Sequence, residues 1–416
     1  MSKILVEGGA RLTGTVSTLG AKNAVLKEMV STLLAPGRHH LTNVPSILDV
    51  DLMVRVLEHT GCHVEQSDHE IWVVVPDDPT PEAPIELVRQ MRASIVVLGP
   101  LLARCGEARV ALPGGDDLGA RPIEWHMHGL EQMGASFELV HGELVARVDG
   151  RLKGTEVELP FPSVGATENL LFAGVLAEGE TVIVNAAREP EIQDLVAQLN
   201  AMGAEIEGGG TSLVTIRGVE RLQPVEHAVV PDRLEAGTYA VAAAVTGGDV
   251  TVTACQPDHL RMELAKLEAS GCGVERGDGW LRVKGPERPE PIDFATLPYP
   301  GFHTDMQPQM VALLSLSSGT SVITENLYDA RYRYVGELLR MGADISIEAQ
   351  HAIIRGVDRL SGCPVLAPDI RAGAALVLAG LAAEGTTEVS DPSHIDRGYE
   401  DLVGKLSSLG AEIERS

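Results

Sequence analysis

An eight-residue phrase, Leu-x-x-h-Gly-(Ala/Cys)-x-h with h usually apolar, recurs six times along the 416-residue chain. It occupies 57–64 (LEHTGCHV), 130–137 (LEQMGASF), 199–206 (LNAMGAEI), 267–274 (LEASGCGV), 338–345 (LLRMGADI) and 406–413 (LSSLGAEI). The glycines fall at Gly61, Gly134, Gly203, Gly271, Gly342 and Gly410, separated by 73, 69, 68, 71 and 68 residues. Each copy reads as the end of an amphipathic helix, a glycine taking φ > 0 beyond it, and then a strand. Before Gly203, for example, Ile192, Leu195, Val196 and Leu199 mark one helical face. A chain of this kind is six copies of one supersecondary unit, dividing naturally into two domains of three.

Composition narrows the partners. A net charge of −26 argues against nucleic acid and against an anionic membrane. Only seven residues are lysines, so the basic side chains become the informative minority. Apolar residues make up 44% of the chain and aromatic ones 3%, so the cores are built from Leu, Val, Ile and Ala. Cys62, Cys105, Cys255, Cys272 and Cys363 lie far apart, and Cys62 and Cys272 fill the small-residue slot of the repeat. Neither a disulfide framework nor a zinc site follows from them. The first residues, MSKILVEGG, read as a strand and turn rather than a signal peptide. No apolar run reaches 18 residues without a charge or turn signal. A soluble, cytoplasmic protein is expected.

Each repeat holds a second helix rich in small apolar residues, at about 22–34, 91–103, 164–176, 233–245, 304–316 and 370–381. These helices lack a polar face and should be buried, with the amphipathic ones shielding sheets around them. The expected fold is α/β, two domains each with three βα-type units around interior helices. The first turns of the interior helices carry Lys22-Asn23, Arg92, Ser163-Val164-Gly165, Asp232-Arg233, Asp305 and Asp369 with Arg371. Asp305 and Asp369 read equally well as N-caps or as functional acids. Lys and Arg are misplaced at the positive end of a helix dipole, and they are so at several equivalent positions. Helix starts and cations converging on a multiply charged anion account for this, with two facing domains bringing both sets together.

Between Arg109 and Pro122 runs RVALPGGDDLGARP. Its glycines and prolines place Asp116 and Asp117 on a loop. The loop is either a surface turn with solvated aspartates or a mobile lid carrying an acid on one side and Arg121 on the other.

Taken with GAKN from Gly20, MRAS from Met91, LPGGDDLGARP from Leu112, NAAREP from Asn185 and HIDRGY from His394, the chain resembles the UDP-N-acetylglucosamine 1-carboxyvinyltransferase family of enolpyruvyl transferases over essentially its whole length. The resemblance implies two inside-out, barrel-like α/β domains of three repeats each. One would span 22–230 and carry the loop 112–122; the other would comprise 1–21 plus 231–416. It implies transfer of the enolpyruvyl group of phosphoenolpyruvate to the 3-hydroxyl of UDP-N-acetylglucosamine, which opens peptidoglycan synthesis, with no metal or cofactor and only these small molecules as partners. Position by position, Lys22, Arg121 and Arg397 would clamp the phosphate and carboxylate of phosphoenolpyruvate, beside Asn23. Asn23 and Asp305 would face the sugar, with Asp305 as base. Arg92, the run Arg121, Pro122, Ile123, Glu124, Trp125, and the main-chain N–H groups of Ser163, Val164 and Gly165 would hold the uridine and diphosphate. Leu327 would meet the sugar through its backbone. Arg331 and Arg371 either line the far side of the site or form a structural ion pair. A non-catalytic UDP-sugar-binding paralogue, or a transferase with another acceptor, are the alternatives.

The sequence departs from the family where most members carry a loop cysteine, for here Asp116 follows the Gly-Gly. The resemblance gives that residue the role of general acid toward C3 of the enol and implies insensitivity to the epoxide fosfomycin, which alkylates the cysteine. Leu48 replaces a frequent lysine, and Asp329-Ala330 a usual Glu-Asn.

Overall fold

The computed structural model describes residues 2–112, 114, 119 and 123–416. Asp116, Arg121 and Pro122 therefore lie outside the described residues. The six glycines all take left-handed φ, between 93° and 100°. Around each one the same two bonds close. The glycine N–H donates to the carbonyl three residues back, as Gly61 to Glu58, and the next N–H donates to the phrase's leucine, as Cys62 to Leu57. The pairs Gly134–Glu131 with Ala135–Leu130, and Gly203–Asn200 with Ala204–Leu199, repeat it, as do the three later copies. This Schellman arrangement explains the phrase. Glycine supplies the backbone angle, the leucine supplies an accepting carbonyl and a buried side chain, and the small residue tucks beneath the turn.

The strand that follows each glycine is the edge of a four-stranded sheet, and the six sheets share one pattern. In the sheet holding the chain's first strand, Pro364–Leu366 runs parallel to Thr386–Ser390. Lys3–Glu7 then pairs antiparallel with Thr386–Ser390, and Glu412–Arg415 pairs antiparallel with Lys3–Glu7. Ile4 and Val6 turn inward while Lys3 and Glu7 face outward, the period of two that a half-buried strand requires. Among the described residues the sheets remain six separate four-stranded layers, and none closes on itself as a barrel.

The apolar helices are interior, as their composition requires. They are α1 (Lys22–Ser31), α2 (Leu98–Cys105), α3 (Val164–Gly174), α4 (Arg233–Val245), α5 (Gln307–Leu314) and α6 (Ile370–Ala382). All 13 residues of α4 are buried. Gly99 lets α2 approach α3 closely, since a Cβ there would sit 2.8 Å from the Asn169 carbonyl oxygen. Two starts differ from expectation: Arg92–Val97 and Thr304–Met306 are 3-10 turns preceding α2 and α5.

The described chain forms two compact units. One takes residues up to Leu19 together with Gly119 and Pro231–Ser416; the other takes the remaining described residues from Gly20 to Val230. Each has its own apolar core, built from the interior helices and the inward faces of three sheets. No helix among the described residues is long and apolar enough to cross a membrane.

Candidate active site

In the unit running from Gly20, Lys22 opens α1 behind an extended Ala21, with no side-chain cap at that helix start. Its ammonium is not left to the dipole alone. Nζ lies 3.0 Å from Asp49 Oδ2, in the first turn of the outer helix Leu48–His59, and Lys22 is 9% exposed. In the sequence Asp49, next to Leu48, looks like an ordinary acid in a first helical turn and carries no local sign of this pairing. Asn23 is half-buried, and its carbonyl accepts a hydrogen bond from Lys27 at 2.8 Å.

Arg92 opens its 3-10 turn without a side-chain cap. It acts electrostatically on His126, whose ring is pushed down to about 4 first by burial and then by this guanidinium. His126 is neutral at pH 7. Its Nδ1 lies 2.8 Å from Asn169 Nδ2, and the Asn169 Oδ1 accepts from Gly99 N–H at 2.7 Å. The amide thus donates to Nδ1, which puts the imidazole proton on Nε2.

Ile123 precedes the outer helix Glu124–Gln132, and Trp125 projects from its first turn to stack on Phe161, ring centres 5.7 Å apart. Beside them a cavity of about 540 Å³ is lined by Glu124, Trp125, His128, Gly129 and Val157–Pro160. Its lining combines the Trp125 ring and apolar Val157, Leu159 and Pro160 with the polar Glu124, His128 and Glu158, a mixture that suits a planar heterocycle carrying N–H groups. Ser163 caps α3 by accepting from Ala166 N–H at 3.3 Å. Of the three main-chain N–H groups expected to serve a ligand, that of Ser163 already donates to Phe161 at 2.7 Å. Val164 and Gly165 begin the helix and are half-buried, and Gly165 sits against the His126 ring.

The other unit gathers a cluster of opposite charges. Asp369 caps α6, accepting from Arg371 and Ala372 N–H at 2.9 Å each, so of the two open readings the cap is the one realised. Asp305 is not a cap. His303 Nδ1 takes that place, accepting from Asp305 N–H at 3.0 Å. The Asp305 carboxylate is instead held from both sides, by Arg331 Nη2 at 3.1 Å and Arg371 Nε at 3.2 Å. Burial alone would raise this carboxyl, but the two guanidiniums overcome it and hold the group well below the usual carboxylate range.

Arg331 also donates twice to the Thr304 carbonyl and is 2% exposed. Its guanidinium is thus engaged in an ion pair with Asp305, itself a candidate site residue. Arg371 lies over the Tyr399 ring at 5.1 Å and is equally enclosed. Tyr399 shares a hydrogen bond with Thr238 at 2.9 Å, so Arg371 rests on a buried polar framework.

Leu327 N–H donates to Glu325 at 2.8 Å. The same carboxylate accepts from Thr296 and Thr304 hydroxyls at 2.8 and 2.9 Å. Any main-chain contact of Leu327 with a ligand therefore falls to its carbonyl. Glu325 was not singled out from sequence, because its partners come from distant segments. Arg397 follows the short helix Ser393–Asp396, half-buried, and shares its turn with Tyr399.

The sequence model for EPSP synthase (3-phosphoshikimate 1-carboxyvinyltransferase) matches residues 6–406. A protein of Corynebacterium jeikeium (strain K411) named UDP-N-acetylglucosamine 1-carboxyvinyltransferase is 53% identical over 411 residues, covering 99% of this chain and 98% of that protein. A protein of the same name from Mycobacterium bovis is 53% identical over 413 residues, covering 99% of both. The crystal structure of the enolpyruvyl transferase NikO from Streptomyces tendae superposes with a TM-score of 0.91 at 25% identity, over 100% of this chain and 99% of that one.

Proposed function

The chain belongs to the EPSP synthase family, and from that premise we propose that it transfers the enolpyruvyl group of phosphoenolpyruvate to the 3-hydroxyl of UDP-N-acetylglucosamine. The observation that carries the choice of acceptor is identity above one half, end to end, with proteins bearing that name. The same reading gives a cytoplasmic enzyme with two small-molecule partners and neither nucleic acid nor membrane.

The reaction is an addition followed by an elimination. Enol carbon C3 takes a proton, and the sugar oxygen bonds to C2 and loses its own proton. The resulting tetrahedral ketal then gives up a C3 proton and phosphate, restoring the double bond. Lys22, Arg121 and Arg397 supply positive charge for the phosphate and carboxylate of phosphoenolpyruvate. The Lys22–Asp49 pair at 3.0 Å fixes the ammonium in advance, so little ordering remains when the ligand arrives. Asn23, Asp305 and the Leu327 carbonyl address the sugar. Trp125, with the neighbouring cavity, takes the uracil, while Arg92, Arg121 and the start of α3 serve the diphosphate.

Asp305 is a weak base, because two guanidiniums stabilise its charge. It suffices if proton loss follows attack. Once the hydroxyl oxygen bonds to a cationic C2 it becomes far more acidic than a carboxylic acid, and its proton then passes to Asp305. Asp116 has the opposite task of donating to C3. An ordinary aspartate, with a pKa of about 3.9, holds a proton in roughly one molecule in a thousand at pH 7, so the bound state must raise it by about three units, about 4 kcal/mol.

Phosphate release tests the proposal. It should require phosphoenolpyruvate and UDP-N-acetylglucosamine together, and shikimate 3-phosphate should not replace the nucleotide sugar. Release with shikimate 3-phosphate alone as acceptor would refute the assignment.

A further inference from the structure

Away from the residues above, three side chains from three elements of the Gly20–Val230 unit converge. Glu28 lies in α1, Asp194 in the outer helix Pro190–Ala201 and His227 in the edge strand Glu226–Ala228. One potential ligand atom from each lies within 4.8 Å of the others. His227 Nε2 is 3.0 Å from Asp194 Oδ1 and 3.8 Å from Glu28 Oε1. Glu28 is wholly buried, and neither of its carboxyl oxygens accepts a hydrogen bond from a donor among the described residues. A buried carboxyl group set against an imidazole and a second carboxylate is neutralised either by a proton it donates to Asp194 or by a positive charge at that point.

We propose that Glu28, Asp194 and His227 form a binding site for a divalent cation of the zinc class. One imidazole nitrogen and two carboxylate oxygens are a donor set that zinc accepts. Tetrahedral bonds of about 2.0–2.2 Å place neighbouring donor atoms roughly 3.3–3.5 Å apart. The two distances, 3.0 and 3.8 Å, bracket that range. Two carboxylates neutralise the ion, which relieves the repulsion between Glu28 and Asp194. Asp194 Oδ2 accepts from Val230 N–H at 2.7 Å, an outer contact that aims the carboxylate inward. The His227 and Asp194 side chains are each 14% exposed, which gives an ion a route in from solvent. Lys27, the adjacent cation, is engaged with Glu168 at 3.4 Å. Burial, then the charge of Asp194 and a hydrogen bond to it, raise the Glu28 carboxyl well above its usual value, so a proton shared with Asp194 is the competitor for the same place. The imidazole as a third donor is what favours the metal. Bound there, the ion would tie α1 to the strand and helix that close this unit, with no part in the transfer chemistry.

The full chain, stripped of metal, is titrated with Co²⁺ and then Zn²⁺. One equivalent of Co²⁺ should give the visible absorption of a four-coordinate site, and Zn²⁺ should displace it and raise the unfolding temperature. In His227→Gln, and separately in Glu28→Gln, that absorption should vanish and zinc affinity should fall by roughly tenfold or more. Glu28→Gln also covers the case of a His227 variant that does not fold. The proposal is overturned if the wild type takes up no stoichiometric metal, if zinc leaves its unfolding temperature unchanged, or if the folded variants bind zinc as tightly as the wild type. Turnover is not the readout, so these outcomes leave the transferase assignment untouched.

Discussion

His126 and Asp305 show how differently two buried groups answer a change of pH. His126 is lowered to about 4 by burial and Arg92, against about 6.5 in an unfolded chain. Above pH 6.5 both states are neutral there and the group contributes nothing. As pH falls from 6.5 towards 4 the unfolded chain gains a proton that the folded one refuses, and stability drops by roughly 3 kcal/mol. Urea titrations at pH 7 and pH 4 should show a smaller loss in His126→Gln than in the wild type. Asp305 also loses stability on acidification, but in a lower pH window. Its stabilising pairs are fully present above the unfolded value near pH 4 and are lost only as pH falls through a folded value well below it. Any acid limb in turnover between pH 5 and 7 should therefore belong to another group. Asp116, which must be protonated to donate, should instead set a basic limb: Asp116→Asn should abolish turnover and Asp116→Cys should retain it. Fosfomycin should inactivate the cysteine variant covalently and spare the wild type, with mass spectrometry reading the adduct. Lys22 and Arg92 stood out in the sequence because cations at helix starts are local oddities. Their partners Asp49 and His126 did not, because pairing depends on which distant segments the fold brings together.

The element most completely legible in the sequence is the glycine cap. Its two hydrogen bonds and left-handed angle involve only six consecutive residues, so the requirement is written locally. No atom lies within 4 Å of a Cβ built on Gly203, which leaves backbone strain as the whole cost of substitution there. Gly203→Ala should lower stability by about 1–2 kcal/mol, and Gly203→Asn by less, since asparagine tolerates this conformation. The shift of the urea midpoint reads both. Helix starts were less legible. Leu98 and Gln307 begin α2 and α5 several residues after the apolar stretches do, just ahead of Pro100 and Pro308. A proline needs no N–H partner in a first turn, so the regular helix settles around it, and the preceding residues close as 3-10 turns. The sheets were legible only as strand-forming segments. Each mixes one parallel with two antiparallel pairings, and nothing local in a five-residue strand specifies its neighbour.

At the scale of the molecule, every strand of the Gly20–Val230 unit finds its sheet partners within that span, whereas the other unit draws strands from both ends of the chain. A fragment of residues 20–230 should fold alone, with a cooperative transition by circular dichroism. A fragment of 231–416 should not, because Lys3–Glu7 is an inner strand of one of its sheets and Thr13–Ser17 an edge of another. Adding a peptide of residues 1–19 should restore the transition, and a cooperative 231–416 fragment without it would contradict this account. The inner place of Lys3–Glu7 between Thr386–Ser390 and Glu412–Arg415 also bears on biosynthesis. The ribosome releases this strand well before both of its neighbours, so it must wait, unpaired and apolar on one face, while nearly four hundred residues are made. Chaperone dependence and co-translational aggregation should therefore concentrate in the opening segment, and a cell under heat stress should lose newly made copies of this protein well before mature ones.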